Sequence, residues 1–256
     1  MTQRMIGGQP ILPVQERAAF LNVLIYGESG VGKTTLAGSA DSVPNMRPVL
    51  VIDIEGGTES LRHSYPEVEH VRVSSWKEMQ AVYDDMHRGK HDFQTVVLDS
   101  LTEIQKFDMY NIMADLAKAR PDLDPDIPSM REWGKNLEHM RRFVRGFRDL
   151  PINTLFTALV KSDKDARTGL TKYRPSLSGK LADEVAAFLD IVVYYYVKQL
   201  DKEGNFQRLL LTGATDSHVA KDRTGRLPLV MDSPTMADIY PIVQRDTTPI
   251  TKPTKE

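Results

Sequence analysis

From Asn22 onward, short apolar runs alternate with longer amphipathic stretches. LNVLIYG precedes a helix-favouring run from Lys33, PVLVIDI precedes SLRHSY, and TVVLDS precedes a long amphipathic segment. Continuous runs of β-prone residues suit strands covered on both faces, so their alternation with helical patterns predicts a mainly parallel sheet flanked by helices. INTLFTALV, AAFLDIVVYYYVKQL and QRLLLTG extend the sheet. Asp201, Lys202, Glu203, Gly204 and Asn205 are turn formers between two β-rich runs, which predicts a C-terminal antiparallel hairpin. Residues 1–17 read as an arm, 18–244 as one α/β domain, and the polar, Pro-bearing 245–256 as a flexible tail.

Composition narrows the field only slightly. Across 256 residues, 33 Lys and Arg face 35 Asp and Glu, a net charge of -2, which excludes a basic tail protein but leaves room for a local basic loop. The absence of cysteine removes disulfides, thiolate catalysis and Cys-based zinc sites. No stretch approaches the roughly 20 apolar residues of a membrane span. The first residues also lack the apolar core of a signal peptide, so a soluble, cytoplasmic protein without a membrane partner is expected.

Candidate chemistry starts at GESGVGKTT, which satisfies G-x-x-x-x-G-K-[ST] between a β-rich run and a helix-favouring one. Gly27, Glu28, Ser29, Gly30, Val31, Gly32, Lys33, Thr34 and Thr35 form a loop whose N–H groups cradle phosphates. Lys33 brings a point charge to the β and γ phosphates of ATP, and the Thr34 hydroxyl is a ligand for Mg2+. TVVLDS ends in Asp99, the expected holder of the metal's water shell. Many P-loop ATPases place a base directly after that residue, but here Ser100 follows. VIDIEGG supplies Asp53 and Glu55 at another strand end; Glu55 is the candidate general base, and Asp53, on the same face by alternation, is its alternative.

Four segments, GESGVGKTT, VIDIEGG, TVVLDS and HVAKDRTGRLP, resemble the RecA-like recombinase core, most closely small phage-encoded RecA/Rad-type single-strand annealing ATPases. The resemblance runs from about Asn22 to Leu229. It implies a RecA-like P-loop fold, Glu55 as the base that activates water, and a homo-oligomeric ring or filament in which Lys221 and Arg223 reach a neighbour's nucleotide. It further implies action on single-stranded DNA in recombination or annealing and the host cytoplasm as location; a single-strand-binding protein enters as partner on the rival reading of a nucleotide-switched binding module. One departure stands out: where relatives carry a polar γ-phosphate sensor, this chain has Thr157, Ala158 and Leu159, with Thr157 or Lys161 as substitutes.

KSDKDARTGLTKYRPSLSGK reads as a flexible basic loop at the position of the family's second DNA-binding loop. Lys161, Lys164, Arg167, Lys172, Tyr173 and Arg174 are its candidate DNA contacts, with the aromatic available for base stacking. Arg141, Arg142, Arg145 and Arg148 form a second candidate stripe. Asp122, Asp124 and Asp126 imitate a calcium loop without its Gly or bidentate Glu, and His87 with His91 lacks zinc context. Two other readings stay open on the residues alone: a small-molecule P-loop kinase with Arg167 and Arg174 in a lid, and a nucleotide-switched binding module.

Overall fold

The structure is a computed structural model that describes residues 4–11, 20–164, 169–202 and 204–244. Met5–Ile6 (β1) and Gln9–Pro10 (β2) pair as a small hairpin. The remaining strands are Asn22–Gly27 (β3), Val49–Asp53 (β4), Glu69–Arg72 (β5), Thr95–Asp99 (β6), Asn153–Lys164 (β7), Thr171–Pro175 (β8), Ile191–Gln199 (β9), Phe206–Leu211 (β10), Lys221–Asp222 (β11) and Val230–Asp232 (β12). The helices are Lys33–Gly38 (α1), Trp76–His87 (α2), Leu101–Ala119 (α3), Met130–Arg148 (α4), Leu181–Phe188 (α5) and Met236–Gln244 (α6).

One sheet carries the fold, in the order β12-β10-β9-β3-β7-β6-β4-β5, with β8 on β7 and β11 on β9. The six central strands from β9 to β5 are parallel, and β10 and β12 add antiparallel pairs. This is the mainly parallel α/β class expected, with β7 inserted between the phosphate-loop strand β3 and the carboxylate strand β6. Every residue of β3, β4 and β6 is buried, which is why these strands read as unbroken apolar runs. Leu24, Tyr26, Leu98 and Phe156 pack under α2 to α5 on one face. Val23, Ile25, Val51 and Leu155 pack under α1 and α6 on the other. Helix starts follow local chemistry: Ser129 and Glu132 form a reciprocal capping box on α4, and the Ser75 hydroxyl caps α2.

The hairpin expected around residues 201–205 is present, with β9 paired to β10 from Gln199 opposite Phe206 inward. Three expectations change. SLRHSY forms no helix; Gly57–Leu61 is a single 3-10 turn. AAFL belongs to α5 rather than to a strand, because LADEVAAF places Leu181, Ala182 and Val185 on one buried helical face. The segment after Val160 is not a flexible loop at its base. Val160–Lys164 pair antiparallel with Thr171–Pro175, so β7 and β8 form a twisted arm.

Candidate nucleotide site

The phosphate loop leaves β3 at Gly27 and enters α1 at Lys33, a six-residue helix that passes directly into a 3-10 turn. Gly30 and Gly32 adopt positive φ of 77° and 101°, a region costly for side-chained residues. Gly27 is sterically required, since a Cβ there would lie 2.1 Å from the Tyr195 carbonyl oxygen on β9. Lys33 is 9 % exposed, and its Nζ donates to the carbonyls of Gly27 and Glu28 at 3.1 and 2.8 Å. Burial lowers its pKa, opposed by the nearby charges of Asp99, Glu55 and Glu28.

At the end of β6, Asp99 is almost fully buried. Thr34 Oγ1 donates to its Oδ2 at 2.6 Å, and Thr157 Oγ1 donates to its Oδ1. A Cβ at Gly57 would come within 3.1 Å of Asp99 Oδ2 and 3.3 Å of Thr34 Oγ1, so glycine keeps this corner open. A hydroxyl and a carboxylate beside such an opening are hard oxygen donors, and the set fits Mg2+. Of the two substitutes for the missing sensor, Thr157 abuts Asp99, whereas Lys161 turns away and donates to the Leu177 carbonyl.

Asp53 and Glu55 take different paths. Asp53 ends β4 and is 2 % exposed. Its Oδ1 accepts the N–H groups of Gly56 and Gly57 at 2.6 and 3.3 Å, its Oδ2 accepts Thr58 Oγ1 at 2.8 Å, and Arg72 lies 3.4 Å away. Burial pushes its pKa up, but Thr58, Gly56, Arg72 and Gly57 outweigh burial and hold it below the usual carboxylate range. Asp53 therefore shapes the turn that presents Glu55. Glu55 is exposed at the strand end, where Ser100 Oγ donates to its Oε1.

A charge held this way is a stability term with a definite pH window. Because the folded pKa is depressed, Asp53 stabilises the fold fully above its ordinary value of 3.8, and that contribution is lost as pH falls through the folded pKa. Asp53→Asn is expected to cost about 1.5–3 kcal/mol at pH 7. Chemical denaturation should show the gap from wild type narrowing at pH 3; an equal gap at both pH values would contradict the assignment.

Lys221 and Arg223 lie elsewhere. β11 pairs with Val192 and Ile191 at the start of β9, the edge opposite the phosphate loop, so neither residue reaches its own subunit's Lys33. Lys221 Nζ donates to the Ala186 and Ala187 carbonyls at 2.7 and 3.3 Å, and Arg223 Nη1 bonds Asp190 at 2.7 Å. Both thus cap the C-terminus of α5, while the Arg223 side chain remains 58 % exposed.

The candidate DNA contacts are only partly available. Arg174 is paired with Asp163, its Nε 2.8 Å from Oδ2, and Tyr173 stacks on His218 with centroids 4.7 Å apart. The first is a side-chain pair across the hairpin, and the second follows from the bridge that sets Tyr173 beside His218. Lys164 and Lys172 are exposed on it, and Arg167 lies outside the described residues. The four arginines of α4 form no open stripe. Arg141 binds Glu184 and Glu138, Arg145 lies 4.2 Å over the Phe188 ring, and Arg148 binds Asp149. Arg142 faces the groove between α2 and α4. Asp122, Asp124 and Asp126 lie exposed in the segment between α3 and α4.

Two neighbours of the site escaped the sequence reading. Ser100 is visible only as the residue standing where a base is often found, and its bond to Glu55 requires strands β4 and β6 to be adjacent. Arg208 Nε donates to the Val31 carbonyl at 3.0 Å, a contact across 177 residues with no local signature.

A family model described as an AAA domain matches residues 19–224. No curated protein matches the sequence. Among solved structures, a KaiC-like protein from Pyrococcus horikoshii is 15 % identical at TM-score 0.43, covering 75 % of this chain and 79 % of that one. The flagellar accessory protein FlaH from Methanocaldococcus jannaschii is 10 % identical at TM-score 0.42, covering 75 % and 78 %. The type III secretion ATPase EscN from enteropathogenic E. coli is 17 % identical at TM-score 0.45, covering 69 % and 43 %. No described helix is long and apolar enough to cross a membrane.

Proposed function

The chain belongs to the AAA domain family, and from that premise we propose that it is an Mg2+-dependent ATPase that assembles head to tail and acts on single-stranded DNA. The observation that carries the reading is the convergence of Lys33, Thr34, Asp99 and Glu55 at one edge of the sheet, with Lys221 and Arg223 at the opposite edge. Lys33 binds the β and γ phosphates, Thr34 and Asp99 would hold a magnesium ion, and Glu55 takes the proton of the attacking water. Such an ion would supply positive charge to the phosphates. Ser100 orients the Glu55 carboxylate through its hydroxyl.

A further cation at the γ-phosphate, beside the subunit's own Lys33, would be supplied by a neighbour. Lys221 and Arg223 have the chemistry for that role, and a head-to-tail interface that set one edge of the sheet against the opposite edge of the next subunit would bring them to it. Single-stranded DNA would follow the β7–β8 arm, whose base is tied to the site through Thr157 on β7. The kinase alternative loses support because Arg174 is engaged with Asp163.

Binding of a fluorescent oligodeoxynucleotide tests the DNA part. With a non-hydrolysable ATP analogue, Lys164→Glu together with Lys172→Glu should weaken affinity about ten-fold or more at low salt and flatten its salt dependence. Equal affinity and equal salt slope in the double variant would remove the arm from the DNA path.

A further inference from the structure

β9 does not stop where its parallel partner does. Its last residue paired with β3 is Tyr194, and it continues with β10 from Tyr195 to Gln199 on the same side of the sheet as the phosphate loop. Parity sorts the side chains of this extension. Tyr195 and Leu210 pack in the cluster beneath α1, and Arg208, two residues from Leu210, falls on that same face. Arg208 is held there by backbone as well, since Ser233 donates its N–H to the Arg208 carbonyl at 2.7 Å.

The guanidinium sits against the loop itself. Nε is 3.0 Å from the Val31 carbonyl oxygen, and a Cβ on Gly32 would meet Nε at 3.4 Å and the Tyr195 ring at 3.7 Å. Among the described residues no carboxylate forms an ion pair with Arg208, and its two terminal nitrogens have no protein partner. The other arginines fixed near acidic groups are neutralised, as with Arg141 on Glu184 and Arg223 on Asp190. The strand thus brings a cation with no ion-pair partner among the described residues to the residue immediately before Lys33, in a loop with the pattern of a phosphate cradle.

We propose that Arg208 is a phosphate-binding residue of the nucleotide site, supplied by the same subunit, with Nε bracing the loop and the terminal nitrogens binding the polyphosphate. The proposal rests on the nucleotide-site reading above. It gives the antiparallel hairpin a function: β10 must be present and in register for the phosphate site to carry its full charge.

The test uses the full chain and two probes, ATP and inorganic tripolyphosphate, titrated with Mg2+ by calorimetry. Arg208→Gln keeps a hydrogen-bond donor but no charge, and Arg208→Lys keeps the charge without the fork. Arg208→Gln is expected to bind both probes about ten-fold or more weakly at an unchanged melting temperature, and Arg208→Lys to recover most of the loss. Wild-type affinity in Arg208→Gln, a loss confined to ATP, or no recovery in Arg208→Lys would each overturn the proposal. Failure of the wild-type protein to bind either probe would instead count against the nucleotide-site reading.

Discussion

Glu55→Gln is expected to lower ATP turnover by about 10²- to 10⁴-fold, the usual contribution of a positioned general base. ATP affinity should stay close to wild type, because the amide is isosteric and Lys33, Thr34 and Asp99 are untouched. The surroundings of the two carboxylates make this prediction sharp. Asp53 is 2 % exposed and accepts from Gly56, Gly57 and Thr58, so it is spent on the turn and shielded from water. Glu55 is one turn further on, exposed, and held through one oxygen by Ser100. Comparing burst-free steady-state kcat with the Kd for a fluorescent ATP analogue separates the two effects. Near-wild-type turnover would remove Glu55 from the chemistry. Ser100→Ala should fall between the two, since it loses orientation and not the base.

Arg223→Ala is expected to reduce hydrolysis by about 10³-fold or more, the scale on which a cation supplied by a neighbour acts. The loss should be repaired by a second inactive protein. Lys33→Ala cannot bind phosphate productively but retains Arg223, so a mixed interface pairs an intact loop with an intact arginine. At equal proportions and random mixing, about a quarter of head-to-tail interfaces are complete, which sets the expected recovery relative to wild type. The residues must leave their present contacts to do this. Lys221 gives up the Ala186 and Ala187 carbonyls, and Arg223 gives up Asp190, so assembly competes with capping of α5. No recovery at any mixing ratio would show that the two residues serve α5 alone.

The parts of this protein legible in sequence are those whose signals are local. β3, β4 and β6 are buried on both faces and therefore spell unbroken apolar runs, and the phosphate loop is a contiguous motif bounded by a strand and a helix. The β9–β10 hairpin announces itself through its turn formers. What was not legible depends on partners far away in the chain. The polar segment after Val160 reads as a loop because its strand pairing is satisfied by charge pairs such as Arg174 with Asp163 rather than by apolar alternation. The arginines of α4 look like a stripe until Glu184 and Phe188 of α5 meet them. Asp53 and Glu55 are indistinguishable by alternation, and only the turn at Gly56 and Gly57 separates them. Arg208 has no motif at all; its place beside Val31 follows from the register of β10 on β9.

The measurement that bears most directly on the central claim is steady-state ATP hydrolysis with and without single-stranded DNA at two protein concentrations. A site completed by a neighbour's Lys221 and Arg223 predicts specific activity that rises with concentration and rises further with DNA. Release of inorganic phosphate that is independent of both variables would contradict an ATPase assembled between subunits on single-stranded DNA.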